Sequence, residues 1–121
     1  MDCIFCKIAN KEISSNFVYE DDILMVIMDI NPTCDGHLLV IPKEHFTTIF
    51  DVPEKVLAHM YQIAEQMTYK VMKATGEKGV TLSINYGDKQ EIKHVHLHIL
   101  PNFQTKASKS IEEVYKLLME E

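Results

Sequence analysis

His94-Val95-His96-Leu97-His98-Ile99-Leu100-Pro101 is the stretch that decides how the rest of the chain is read. It alternates histidine with aliphatic residues and stops at a proline. Side chains on a strand point alternately to its two faces, and proline cannot donate to a sheet ladder. The stretch therefore reads as a strand from His94 to Leu100. His94, His96 and His98 share one face, and Val95, Leu97 and Ile99 share the other, which a helix can cover. A merely solvated strand face favours Thr, Lys or Tyr over repeated His. One zinc ion cannot easily hold all three rings: the outer Cα atoms lie about 13 Å apart, and ligands sit about 2.1 Å from the metal. The row suits a division of labour, with one histidine for structure, one for attack and one for the ligand.

Outward from this strand, Val80 to Asn85 alternates as a second strand, with Val80, Leu82 and Ile84 opposite Thr81, Ser83 and Asn85. Before it, Val56, Met60, Ile63, Met67 and Val71 recur at the spacing of one helix face. Gly76 ends that helix in a left-handed cap, and Asp51-Val52-Pro53-Glu54 opens it with the pattern of a capping box. Towards the N-terminus, Phe17 to Glu20 and Ile23 to Asp29 read as strands around an Asp21-Asp22 turn, and His37 to Ile41 as a third, ended by Pro42. Asp2 to Ile8 makes a short helix capped by Asp2, and Ser110 opens a final one carrying Val114, Leu117 and Leu118. The first strands are too close for helical crossovers. The expected fold is α+β: five strands, mostly antiparallel, one long helix and short terminal helices.

The chain has 121 residues, 46% hydrophobic and 25% charged, which fits one globular domain over residues 1–121. Twelve bases against 18 acids give a net charge of −6, which argues against a nucleic-acid partner. No apolar run reaches the roughly 18 residues of a membrane span, and Met1-Asp2-Cys3 lacks the order of a signal peptide, so the expected location is cytoplasmic. In a reducing compartment the Cys3-x-x-Cys6 pair reads as a metal half-site or a redox dithiol. The redox motif follows a strand and opens a helix, and no strand precedes Cys3.

His-Val-His-Leu-His-Ile-Leu-Pro resembles the signature of the histidine triad (HIT) superfamily, near its Hint-like branch. Further blocks stand in family order: Cys3-Ile4-Phe5-Cys6-Lys7-Ile8, Tyr19-Glu20-Asp21-Asp22, Asp29-Ile30-Asn31-Pro32, Gly36 through His45, and Asn85-Tyr86-Gly87. The resemblance implies hydrolase or transferase chemistry on a nucleotide α-phosphate. It also implies a homodimer whose two five-stranded sheets join into a ten-stranded one. Carried over by position, His96 is the nucleophile, and Asn85, Gln90 and His98 grip the phosphate together with backbone N–H groups of residues 88–91. Ile4, Phe5, Ile8 and Ile27 match a purine pocket, and Asp29 matches the acid that holds the ribose hydroxyls. Read without the resemblance, the four apolar residues are ordinary core and Asp29 is a turn residue.

The resemblance implies a structural zinc: some relatives with the C-x-x-C hold one with two histidines, at positions matching His45 and His94, and two thiolates with two imidazoles make a closed tetrahedral set. No catalytic cofactor is expected. His37 is expected to be structural, His59 to lie on the surface or a dimer edge, and Cys34 to be an unpaired loop thiol. The Gly87-Asp88-Lys89-Gln90-Glu91 loop departs from the family: it is short, Lys89 stands at a glycine position, and Glu91 is expected to point away because a carboxylate repels phosphate. The substrate expected is a purine nucleoside 5′-phosphoramidate. The alternatives are a dinucleoside polyphosphate or, in another class, a zinc-stabilised nucleotide-binding module with little turnover.

Overall fold

The computed structural model describes residues 3–102 and 106–120. Phe17–Glu20 (β1), Leu24–Met28 (β2), Leu38–Pro42 (β3), Val80–Ile84 (β4) and Leu97–Pro101 (β5) form one sheet in the order β1-β2-β3-β5-β4. Every pairing in it is antiparallel. Glu54–Thr75 makes the long helix, and Ile4–Ala9 and Ile111–Met119 make short helices near the two ends. We label these α2, α1 and α3. The α+β architecture expected from the sequence is the one observed.

Alternation along the strands divides the core in two. Leu24, Val26, Met28, Leu38, Val40, Leu97 and Ile99 face α2 and α3, where they meet Met60, Ile63, Ala64, Met67, Val71, Val114 and Leu118. Met25, Ile27, Leu39 and Ile41 face the opposite way and meet Cys3, Phe5 and Ile8 at α1. With both faces covered, every residue of β2 and β3 is buried. The face under α1 is the one that carries His98, which pairs with Leu39.

Several local expectations shift. The regular strand begins at Leu97, so His94 and His96 precede it as non-ladder backbone. The cap of α1 is Cys3, whose sulfur accepts from the Cys6 N–H at 3.4 Å; Asp2, the expected cap, lies outside the described residues. The capping box is Thr48 with Asp51, on a short 3-10 turn at Ile49–Asp51, while α2 starts after Pro53 without a side-chain cap. Asp51, placed at the cap position from the sequence, stands three residues after it and accepts from the Thr48 N–H at 2.9 Å and the Thr48 hydroxyl at 3.1 Å. Gly76 does end α2 in the left-handed conformation, at φ 78°.

Gly36 also has positive φ, and a Cβ there would stand 2.7 Å from the Val71 Cγ2. The close approach lets the chain entering β3 pass against α2. His59, expected at the surface or a dimer edge, is half-buried and bonds to the Asp21 carboxylate at 2.6 Å; Tyr19 donates to the same oxygen at 2.7 Å. Burial opposes ionisation of Asp21, but the hydrogen bonds from His59, the Leu24 N–H, Tyr19 and the Ile23 N–H outweigh it and hold the carboxyl below its ordinary range. This contact ties α2 to the β1–β2 turn. The distance from Asp21 to His59 in sequence hides it from local pattern reading.

Candidate active site and metal cluster

His94, His96 and His98 keep the common face expected of them, but their surroundings differ. His94 is fully buried, and His96 is 7% exposed. The His94 Nε2–H donates to the Pro42 carbonyl at 2.8 Å, so the Nδ1 lone pair turns the other way. It meets Cys3 Sγ at 3.3 Å and Cys6 Sγ at 3.6 Å, and Cys6 Sγ lies 3.3 Å from His45 Nδ1. All four donor atoms fall within 4.8 Å of one another. Donors about 2.1–2.3 Å from one tetrahedral ion would be separated by about 3.6 Å, so this cluster fits a metal ion. Burial pushes the Cys6 thiol up to about 11 and holds His94 down to about 4. The imidazole is thus in its neutral, ligating form, and a dication would offset the cost of ionising the thiols.

His96 turns its Nδ1–H onto the His94 carbonyl at 2.7 Å. That bond assigns the ring its tautomer and leaves the Nε2 lone pair unprotonated. Burial lowers the pKa of His96 from its usual value, opposed by the bond to the His94 carbonyl and by the charges of Asp29 and Glu91. The cavity that His96 lines, about 430 Å³, also receives Ile4, Phe5, Ile8, Ile27, Asp29, Asn85 and His98. Every residue expected at the nucleotide, with the exception of Gln90, therefore faces this one cavity. Gln90 is 4% exposed and its amide donates to the Thr47 carbonyl at 2.6 Å. Its backbone N–H is taken by the Gly87 carbonyl at 3.0 Å. Glu91, expected to point away, lines the cavity beside Lys89. The 3-10 turn at Gly87–Lys89 brings both to the wall.

The residue that sequence reading underrated is His37. The Thr33 N–H donates to His37 Nδ1 at 3.1 Å, which places the His37 proton on Nε2. Nε2–H in turn donates to His98 Nδ1 at 2.9 Å, so the His98 proton sits on Nε2. The Asn85 side-chain amide is 3.4 Å from that nitrogen and accepts its proton only when the amide oxygen is turned to the ring. The Asp29 carboxylate lies 3.4 Å from the same His37 nitrogen, and its other oxygen accepts from the Asn31 N–H at 2.9 Å. Asp29 thus serves the turn and faces the cavity at once. Asp29, His37 and His98 are grouped as closely as metal ligands. The Thr33 N–H decides otherwise, because it keeps a proton on the nitrogen that a metal would need. The position of His37 immediately after Gly36 was the available signal, but its partner lies on β5.

Burial holds His98 down to about 4, aided by the charges of His96 and His37, and it also lowers His37. An unfolded histidine titrates near 6.5. These groups therefore contribute stability that is fully present above about 6.5 and lost as pH falls towards the folded value. The urea midpoint is expected to drop steadily between pH 6.5 and 4.5, and a His98→Gln variant should show a shallower slope. An equal slope in both proteins would contradict the assignment.

The HIT domain family model matches residues 10–105. The chain belongs to the HIT family. An adenylylsulfatase from Arabidopsis thaliana is 40% identical to this HIT protein over 102 residues, covering 83% of the chain and 52% of the plant protein. An adenosine 5′-monophosphoramidase from Saccharomyces cerevisiae is 34% identical over 112 residues, covering 87% of the chain and 65% of the yeast protein. Among solved structures, a zinc-bound histidine triad family protein from Mycobacterium smegmatis superposes with a TM-score of 0.87 at 30% identity, covering 99% of this chain and 92% of that one. Cys3 and Cys6 precede the matched stretch, so for this chain the metal cluster rests on its geometry.

Proposed function

We propose that this HIT-family hydrolase cleaves purine nucleoside 5′-phosphoramidates through a covalent nucleotidyl-His96. The observation that carries the reading is the His96 tautomer: Nδ1–H is committed to the His94 carbonyl, and Nε2 is free in a cavity with an apolar end and a polar end. The purine lies against Ile4, Phe5, Ile8 and Ile27, and the ribose hydroxyls bond to Asp29. Nε2 attacks phosphorus, the P–N bond breaks, and the amine leaves with a proton taken from water. The hydroxide left by that water then cleaves the P–Nε2 bond, releasing the nucleoside monophosphate and restoring the neutral ring. His98 Nε2–H and Asn85 stabilise the charge that grows on the phosphate oxygens. Gln90 acts less directly, by holding its loop to Thr47.

Zinc is the ion we assign to Cys3, Cys6, His45 and His94; when bound it supplies structure, with no open position for substrate. Residues 1–121 act as one domain. The chain forms a homodimer through β4, a sheet edge whose Thr81 and Leu82 are exposed, giving a ten-stranded sheet. No helix among the described residues is long and apolar enough to cross a membrane.

The test is turnover of adenosine 5′-phosphoramidate beside diadenosine polyphosphates, without added Mg²⁺, by wild type and His96→Ala. Fastest turnover of the phosphoramidate is expected. The acid limb of kcat/KM should fall below the ordinary histidine value of about 6.5, because burial favours the neutral ring. Preference for the polyphosphate would move the protein to the rival substrate class. Tight nucleotide binding with no turnover of either would make it a binding module.

A further inference from the structure

The nucleophile's segment lies outside the sheet ladder. Pairing of β5 with β3 starts at Leu97 opposite Val40, so His94, Val95 and His96 have no strand partner to fix them. Two supports replace it. One is the His94 ring, held by Pro42 and facing both cysteine sulfurs. The other is the Val95 N–H, which donates to the Phe46 carbonyl at 2.7 Å; Phe46 follows His45 directly. Both supports therefore lead back to the metal cluster. The His94 carbonyl, which sets the tautomer of His96, belongs to a ligand residue of that cluster.

A third link runs through α1. Six residues make too short a helix to persist alone. Its N-cap is Cys3, and Cys6 lies within its first turn. Phe5, between them and 3% exposed, stands edge-on to His94 at 5.7 Å and to His96 at 5.0 Å between ring centroids. A separate cavity of about 620 Å³ reaches Cys3 and His45, with Lys7 and Lys93 on its walls. It offers an ion or a chelator a path to the cluster that does not pass His96, which lines the other cavity.

We propose that the Cys3–Cys6–His45–His94 cluster is a positioning device for the nucleophile, so that metal occupancy sets kcat as well as stability. This rests on the reading of His96 as nucleophile. His94 and Phe5 are positioning residues here: they act through His96. Misplacing a reacting atom by a fraction of an ångström lowers rate with little effect on ground-state binding.

The experiment compares zinc-loaded protein with the same protein stripped by a chelator and shown by circular dichroism to remain folded. Two quantities are read: steady-state kinetics on adenosine 5′-phosphoramidate, and the imidazole tautomer of His96 from long-range ¹H–¹⁵N correlation spectra. Loaded protein should show one His96 tautomer, protonated at Nδ1. Stripping should give an average of two tautomers, lower kcat about tenfold or more, and leave KM nearly unchanged; added zinc should restore both. A folded, stripped protein with unchanged kcat and one tautomer would overturn the proposal. If stripping unfolds the chain, cadmium-loaded protein decides. Its longer bonds to the same donors should change kcat about threefold at unaltered KM, and equal kcat for the two ions would reject the coupling. If zinc-loaded protein turns over no nucleotide, the proposed activity fails, while the tautomer comparison still decides the positioning.

Discussion

His96→Ala is expected to lower kcat/KM for adenosine 5′-phosphoramidate by about 10³-fold or more, a loss of roughly 4 kcal/mol of transition-state stabilisation. The size follows from removing the attacking atom. Water delivered directly to phosphorus is the remaining route, and nothing holds it in line. The ring is buried, with Phe5 edge-on to it and His98 4.8 Å away between centroids. An alanine there leaves a void, so melting curves must accompany the kinetics. His96→Asn, closer in volume and polar, should be as inactive and better folded. Near-wild-type turnover by either folded variant would remove His96 from the mechanism. Wild-type protein quenched during turnover should carry one nucleotidyl group per site, and the variants none.

Loss of the metal cluster has the second largest expected effect, on stability. An ion that binds the folded chain at a thousandfold excess over its Kd adds about 4 kcal/mol. For a domain of this size, removing that amount lowers Tm on the order of 15 °C. A Cys3→Ala/Cys6→Ala variant should melt lower by about this much and lose its zinc by elemental analysis, and a chelator should have no further effect on it. Equal melting of wild type with and without chelator, with no metal found, would leave the four donors as a buried polar cluster only. The effect should concentrate at α1, because His45 and His94 keep other partners. His94 still bonds to Pro42, whereas α1 is tethered by the two cysteines and by packing of Phe5 and Ile8.

Period-two alternation made β4 and β5 legible, and period 3.6 made α2 legible down to its glycine cap, because both patterns are written into neighbouring residues. The common face of the three histidines followed from the same alternation. What stayed hidden was set by contacts across the chain. The start of β5 at Leu97 depends on where β3 ends its pairing. The His37–His98 bond joins the residue before β3 to one on β5, and His59 finds Asp21, 38 residues away, in the β1–β2 turn. Glu91 was misread because charge alone suggested repulsion, whereas the 3-10 turn at Gly87–Lys89 fixes where the loop points. Gln90 shows the same limit: a side chain's partner, here the Thr47 carbonyl, is not written beside it.

The strand order also bears on how the chain comes together in time. The β1-β2-β3 meander and the β4–β5 hairpin each join neighbours in sequence, but β3 and β5 meet only after the segment containing α2 closes into a loop. Loop-closure entropy makes that encounter slow relative to the local hairpins. The seam between β3 and β5 is where the chemistry lies. Phe5, Asp29 and His37 arrive with the first unit, and Asn85, His96 and His98 with the second. Each unit carries part of the centre, and neither carries both the nucleophile and the ribose-side carboxylate. A chain caught between the two steps holds native hairpins and no site, so recovery of turnover during refolding should trail recovery of backbone structure by one kinetic phase.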